Sequence, residues 1–281
     1  MESGKAAILG LGIIGSRVCQ RLLDAGVAVS CWSRSPRGIA GECASPELAV
    51  SDAKWISIYL KDAVAVREVF SRISGSLVPG QIVLNHATID LPTTLWLGKQ
   101  CSERGLGFID APFTGSRDAA AAGNLVYYLG GDSALAEDAD SYLALSSRLR
   151  LHCGEVGSAT VVKLATNLIS ACTVQAMSEA SAIATSHGVS MGQLAAAVAE
   201  NASGSALSAM KFKTMMEGDF SAHFSLDNMA KDSRYMLALA NQAGLKTPAI
   251  EAVSARMHEL CDQGHADMDY AVLAKPYLDP A

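Results

Sequence analysis

The sequence predicts an α/β domain built on a doubly wound, mainly parallel sheet, followed by an all-helical domain. Three observations carry that expectation. Short β-rich apolar runs alternate with helical segments from the start to about Cys153. From Gly157 onward the pattern changes to long Ala-, Met- and Leu-rich stretches with almost no strand signal. A glycine-rich turn separates the first apolar run from the first helical segment. Alternating strand and helix signals mark a sheet covered on both faces by helices. The expected division is residues 1–155 and 156–281, with at most a short hinge near Gly154 to Gly157, and a ligand is expected in a cleft between the halves.

Taken in order, Ala6-Ala7-Ile8-Leu9 reads as a strand, Gly10-Leu11-Gly12-Ile13-Ile14-Gly15 as a turn, and Val18, Leu22 and Leu23 as one face of a helix. In such a turn the first glycine makes the bend, the second lets backbone approach a pyrophosphate, and the third allows helix and strand to pack closely. The helix N-terminus then points at the phosphates. The six residues from Gly10 to Gly15 are therefore expected to bind a dinucleotide in a Rossmann-type domain. Further strands are expected at Val27 to Trp32, Trp55 to Leu60, Gln81 to Leu84, Gly107 to Ile109 and Leu125 to Leu129. The first helix of the second half is expected from about Ser158 to His187, with Gly188 as its stop.

A net charge of −6 over 281 residues leaves no basic field, so nucleic acid is not an expected partner. Seven cysteines without Cys-x-x-Cys spacing read as reduced thiols in the cytoplasm, and six histidines without ligand spacing give no expectation of a metal. The N-terminus leads straight into the first strand, so no signal peptide is expected, and no apolar run is long enough to span a membrane.

After the second strand, where an NAD enzyme would place a carboxylate for the ribose 2′-hydroxyl, the chain has Ser33-Arg34-Ser35 and no acidic residue from Ala25 through Gly41. A guanidinium and two hydroxyls suit a 2′-phosphate, which favours NADP over NAD; the alternative is a solvated arginine. In Asp110-Ala111-Pro112-Phe113-Thr114-Gly115-Ser116-Arg117, the residues Thr114, Gly115 and Ser116 could offer hydroxyls and backbone N–H groups to a substrate carboxylate, or simply cap a helix. Lys163 and Asn167 lie four apart on the long helix, so both can converge on one substrate oxygen. Carbonyl reduction builds negative charge on that oxygen, which an ammonium can stabilise and protonate; the alternative is a lysine snorkelling to the surface.

The glycine turn, Asp110 to Ser116, Gly157-Ser158-Ala159 with Lys163 and Asn167, and Phe224-Ser225-Leu226 with Lys231-Asp232 together resemble the β-hydroxyacid dehydrogenase family over nearly the whole chain. The likeness is strongest to its glyoxylate/succinic semialdehyde reductases. It implies a Rossmann-type domain, an all-helical domain, Lys163 as catalytic acid/base and Asn167 as its partner in positioning substrate. It also implies substrate binding by Thr114, Gly115 and Ser116, with Thr114 standing where serine is common. Cofactor contacts are implied for Leu60 and Lys61 (in Leu60-Lys61-Asp62, where Leu-Pro-Asp is usual), for Thr88 in Asn85-His86-Ala87-Thr88, and for Lys231. Set against the family pattern, the chain is shorter between Arg34 and Ala49, which implies loss of most of a helix beside the adenosine. His86 departs from the pattern, as a substrate-facing group or a hydrogen-bonded loop residue.

The function so implied is NADPH-dependent interconversion of a small carboxylate-bearing aldehyde and its hydroxy acid. Rivals are an NAD(P)-dependent 3-hydroxyisobutyrate or tartronate semialdehyde dehydrogenase, an imine reductase, which Lys163 disfavours, and a non-catalytic NADP-binding assembly or sensor protein. The apolar helical half suggests a homodimer or homotetramer. Ser203, Ser205, Met210 and Lys211 are open between packing, surface and substrate recognition.

Overall fold

The structure, a computed structural model, describes residues 4–278, which pack as two compact units, one ending at Lys163 and one beginning at Leu164. In the first unit the strands are β1 (Ala6–Leu9), β2 (Val29–Trp32), β3 (Trp55–Ile58), β4 (Ile82–Asn85), β5 (Gly107–Asp110), β6 (Phe113–Thr114), β7 (Leu125–Gly130) and β8 (Ser147–Gly154). They form one sheet in the order β2-β1-β3-β4-β5-β7-β6, with β8 also paired to β7. Between them run α1 (Gly15–Asp24), α2 (Pro46–Val50), α3 (Ala63–Ile73), α4 (Leu91–Ser102), α5 (Arg117–Ala121) and α6 (Ser133–Leu143).

Strands β1 to β4 are buried at every position, as a sheet covered on both faces requires. All four pair in parallel, and β5 joins them in parallel. Strand order reverses at β1: the chain passes from β1 to β2 on one side and then crosses to β3 on the other. The crevice beyond the carboxyl ends of β1 and β3 is where such sheets take ligands.

The sheet is not wholly parallel, because β7 runs antiparallel to both β5 and β6. The link from Thr114 to Leu125 holds only the five-residue α5, too short for the crossover a parallel return demands. Strands β6 and β8 have no counterpart in the sequence expectation. Strand β8 is an edge whose Leu149 and Leu151 stay 39% and 42% exposed, so it lacks the buried apolar run that marks the others. One row across the sheet matters later: Asp110 pairs with Gly130, and Gly130 with Gly154.

Helix α7 (Ser158–Ser186) starts four residues after β8 and runs from the first unit's residues into the second's, close to the expected span. It ends before Gly188, whose φ of +79° no side-chain-bearing residue takes readily. The second unit continues with α8 (Met191–Ala199), α9 (Ala206–Glu217), α10 (Leu226–Gln242), α11 (Pro248–Leu260), a π turn (Cys261–His265), a 3-10 turn (Tyr270–Ala274) and α12 (Lys275–Leu278). Its core packs Leu164, Ala171 and Val174 of α7 with Phe212, Met215, Leu226, Met229 and Met257.

Lys211 is spent inside that core. Its Nζ lies 2.6 Å from Asp269 Oδ1 and 4.1 Å from the Tyr270 ring centre, and both charged side chains are essentially inaccessible. The backbone N–H groups of His223, Phe224 and Ala271 also donate to Asp269, so the pair is well satisfied and ties α9 to the segment before α10. Packing, then, is its role. Ser205 caps α9 in a reciprocal pair with Ser208, whereas Met210 stays 40% exposed.

Candidate active site

The glycine turn sits between β1 and α1 as its spacing predicts. Gly10 has φ +104°, and a methyl there would run into the Tyr59 carbonyl, so β3's continuation closes over the turn and brings Leu60 beside it. A methyl on Gly15 would strike the Gly10 carbonyl, whereas one on Gly12 would meet nothing within 4 Å. Helix α1 begins without a side-chain cap and without an acidic residue in its first turn. An uncapped helix start with open space over the second glycine is the donor set a pyrophosphate needs. These residues fit a dinucleotide.

Ser33, Arg34 and Ser35 follow β2 directly; Ser33 is half-buried and the other two are exposed. The segment beyond them has no helix until α2, as the short spacing suggested. Instead it folds back on β2 through a parallel bridge from Cys31 to Glu42. The Glu42 carboxylate accepts from the backbone N–H groups of Arg37 and Gly38 at 2.7–3.0 Å, so this acid holds the loop's own backbone. Lys61 is exposed just beyond β3, and Thr88 is half-buried just beyond β4.

Thr114 ends β6 and is exposed, Gly115 has φ +141°, and Ser116 caps α5 by accepting from the Ala119 N–H at 3.2 Å. The capping reading of this motif therefore holds for Ser116. Its O–H remains a donor in that arrangement.

His86 is completely buried, with Nδ1 2.8 Å from the Ala111 carbonyl and Nε2 3.1 Å from Ser57 Oγ. A carbonyl can only accept, so Nδ1 carries the proton and Nε2 accepts from the Ser57 hydroxyl. The Ser57 oxygen can in turn accept from Tyr142 at 2.8 Å. The imidazole stacks on Tyr59 at 4.4 Å between ring centres. Burial pushes its pKa down to about 3, against a smaller opposite effect of the Ala111 bond. His86 is thus a neutral core residue rather than a substrate-facing group.

On α7, Thr160, Lys163, Leu164, Asn167, Ala171, Val174 and Ser178 form one stripe at helical spacing, each at most 8% exposed. Lys163 and Asn167 therefore share a buried face, as their separation predicts. Asn167 Nδ2 donates to Asp232 Oδ2 at 2.8 Å, and Lys231 Nζ reaches Asp232 Oδ1 at 2.7 Å. Lys231 also lies 5.0 Å from the Tyr235 ring centre. Asp232, fully buried on α10, is the residue that sequence reasoning left without a role: its two oxygens join the two expected site residues Asn167 and Lys231. The adjacent Lys-Asp pair was the available signal, but the partner 65 positions away was not.

With this geometry in place, comparison with known proteins decides the family. Residues 5–157 match the NAD binding domain of 6-phosphogluconate dehydrogenase, and residues 157–277 match the NAD-binding domain of NADP-dependent 3-hydroxyisobutyrate dehydrogenase. The chain belongs to the β-hydroxyacid dehydrogenase family. Its members are NAD(P)-dependent oxidoreductases acting on CH–OH groups, and the chain is an enzyme of that kind. Glyoxylate/succinic semialdehyde reductases 1 and 2 of Arabidopsis thaliana are each 26% identical over 97% of this chain, covering 97% and 79% of their own lengths. The mouse cytokine-like nuclear factor N-PAC is 26% identical over 98% of the chain, which spans 51% of that protein. In fold, the chain is similar to Mycobacterium tuberculosis 3-hydroxyisobutyrate dehydrogenase with L-serine, with a TM-score of 0.90, 22% identity and coverage of 97% and 98% of the two chains. Among the described residues no helix is long and apolar enough to cross a membrane, and no cluster of three or more His, Cys, Asp or Glu could hold a metal.

The glycine geometry separates two substitutions. Gly15→Ala is expected to destabilise the first unit by about 1–3 kcal/mol through overlap with the Gly10 carbonyl. Gly12→Ala should melt like the wild type, since its methyl meets nothing within 4 Å; if Gly12 backs the pyrophosphate as its motif predicts, the variant is expected to bind NADPH at least about tenfold more weakly. Thermal melts and fluorescence titration check both; unchanged NADPH binding in Gly12→Ala would remove Gly12 from the cofactor site.

Proposed function

We propose that this β-hydroxyacid dehydrogenase uses NADPH to reduce a small aldehyde acid, glyoxylate or succinic semialdehyde, with Lys163 as the proton donor. The observation that carries the reading is the buried stripe of α7 with Lys163 one turn before an Asn167 that Asp232 holds in place. The match to the two Arabidopsis reductases supports the substrate class.

When bound, the reduced nicotinamide supplies hydride to the carbonyl carbon. Lys163 Nζ places a positive charge beside the oxygen that becomes negative and gives it a proton; in the reverse direction its neutral form takes that proton back. Asn167, restrained by Asp232, orients the same oxygen. Thr114, Gly115 and Ser116 take the substrate carboxylate, with the Ser116 hydroxyl donating while its oxygen caps α5. Gly10, Leu11, Gly12, Ile13, Ile14 and Gly15 hold the pyrophosphate. Leu60, Lys61 and Thr88, with Lys231 as the family resemblance implies, would contact the remainder of the cofactor.

NADP preference rests on Ser33, Arg34 and Ser35 just beyond β2, where a guanidinium and two hydroxyls would meet a 2′-phosphate and no acidic residue occurs from Ala25 through Gly41. The same reading takes the protein as cytoplasmic and as a homodimer or homotetramer. Light scattering on the purified chain tests the latter, and a monomer would overturn it.

The deciding assay is oxidation of NADPH with glyoxylate and with succinic semialdehyde, each repeated with NADH. Turnover preferring NADPH is expected, and Arg34→Ala should lower kcat/KM for NADPH roughly tenfold, about 1.4 kcal/mol, without lowering that for NADH. Turnover only with 3-hydroxyisobutyrate or tartronate semialdehyde would transfer the enzyme to that branch. NADPH binding without turnover on any of these acids would favour the non-catalytic reading.

A further inference from the structure

Helix α7 has no residue of its own to cap its start. Gly157, immediately before it, has no side chain, and its φ is +97°. The missing acceptor comes from the sheet. Asp110, fully buried at the end of β5, accepts from the Thr160 N–H at 2.8 Å through Oδ2 and from the Thr160 hydroxyl at 2.9 Å through Oδ1. The Gly157 N–H donates to the same carboxylate. Thr160 Oγ1 is also 2.9 Å from Thr94 Oγ1, which ties the cluster to α4. Because Thr160 Oγ1 spends its hydrogen on Asp110, the Thr94 hydroxyl is the donor in that contact.

Register explains why the carboxylate arrives there. Asp110, Gly130 and Gly154 lie in one row across β5, β7 and β8, and α7 begins four residues past Gly154. A methyl on Gly130 would come within 2.9 Å of the Glu155 carbonyl and 3.1 Å of the Ala159 N–H, so this glycine lets the first turn settle onto the row. A carboxylate at a helix N-terminus takes otherwise orphaned N–H groups and meets the positive end of the helix dipole. Thr160 and Lys163 are three positions apart, a little under one turn on the same buried stripe.

We infer that Asp110 is a positioning residue for catalysis: by capping α7 from the end of β5 through Thr160, it sets the rotation and height of the turn that carries Lys163. This rests on the assignment of Lys163 as proton donor. The carboxylate does not act on substrate. Its effect reaches the chemistry through the helix backbone, where a displacement of an ångström at the donor is costly.

Asp110→Ala is therefore expected to lower kcat per folded molecule at least tenfold, with the NADPH dissociation constant within twofold of wild type. Amide exchange of residues 158–163 should rise in parallel. Asp110→Asn keeps one acceptor for the Thr160 N–H and should recover most of the lost kcat. Thr160→Ser, which keeps the hydroxyl, should outperform Thr160→Val, and this pair carries the test if Asp110→Ala does not fold. A lower melting temperature with unchanged kcat would make Asp110 a stabilising cap alone and overturn the inference, as would an Asn variant no better than Ala. Lys163→Ala is measured alongside. Full turnover in that variant would remove the proton-donor assignment itself, whereas a dead Lys163→Ala beside a fully active Asp110→Ala would remove only the positioning role.

Discussion

Lys163→Ala is expected to lower kcat for aldehyde-acid reduction by roughly 10²–10⁴-fold, the usual worth of a positioned general acid, while NADPH binding stays within about twofold of wild type. Lys163 is only 8% exposed, on a stripe of α7 that also holds Asn167. Keeping a long cationic side chain on a buried face is costly, so Lys163 is held at a defined place on α7. Asn167 is held from α10 by Asp232, and the Ala variant is expected to keep that amide–carboxylate contact. The loss should therefore appear in kcat much more than in KM, the pattern of an interaction made mainly in the transition state. Lys163→Arg sharpens the test. Arginine keeps the charge but does not give up its proton near neutral pH, so an Arg variant as impaired as the Ala variant would assign proton transfer to Lys163. An Arg variant with most of the wild-type rate would reduce Lys163 to charge stabilisation, and an active Ala variant would remove it from the chemistry.

What could be read from the sequence was local. Gly10 to Gly15 announce themselves because strand, turn and helix are contiguous, and Lys163 with Asn167 because four positions make neighbours on any helix. The long helix and its stop at Gly188 followed from the same short-range rules. The contacts that orient the site are not local. Asp110 meets Thr160 across 50 positions, and Asn167 meets Asp232 across 65. Each pairing depends on strand order or helix packing that no single stretch encodes. Burial was likewise out of reach: Lys211 and His86 look in the sequence like polar groups available for recognition, and both are committed to the interior. Strand β8 escaped notice because an exposed edge with arginines at alternate positions carries no buried apolar pattern. The strand β7 was expected but its antiparallel direction was not, because that direction is set by the shortness of the link from Thr114 to Leu125.

His86 and Asp110 should give this protein an unusual dependence of stability on pH, because their shifts oppose each other. The imidazole titrates near 6.5 when unfolded and at about 3 when folded, because burial disfavours its charge. Its folded pKa is depressed, so the stability it leaves intact above pH 6.5 is lost as the pH falls, until both states are protonated below about 3. That amounts to about 1.4 kcal/mol per pH unit and about 5 kcal/mol in all. For Asp110 burial acts the other way. Its carboxyl is raised from 3.8 to about 6 despite hydrogen bonds from Thr160 and Gly157, so the folded state takes up this proton first. Stability gained from it grows as the pH falls from about 6 to 3.8, by roughly 3 kcal/mol. Between those values the two slopes nearly cancel, and below 3.8 the His86 loss stands alone. Chemical denaturation across pH 7 to 4 can separate them by difference. The stability of wild type minus His86→Gln should shrink by about 1.4 kcal/mol for each unit below 6.5, since glutamine does not titrate. Asp110→Asn, which removes the compensation, should fall off more steeply than wild type between pH 6 and 4. A His86→Gln difference that stays flat over this range would mean that the imidazole gains its proton in the folded protein as readily as in the unfolded chain, and that the Ser57–His86–Ala111 arrangement opens to water.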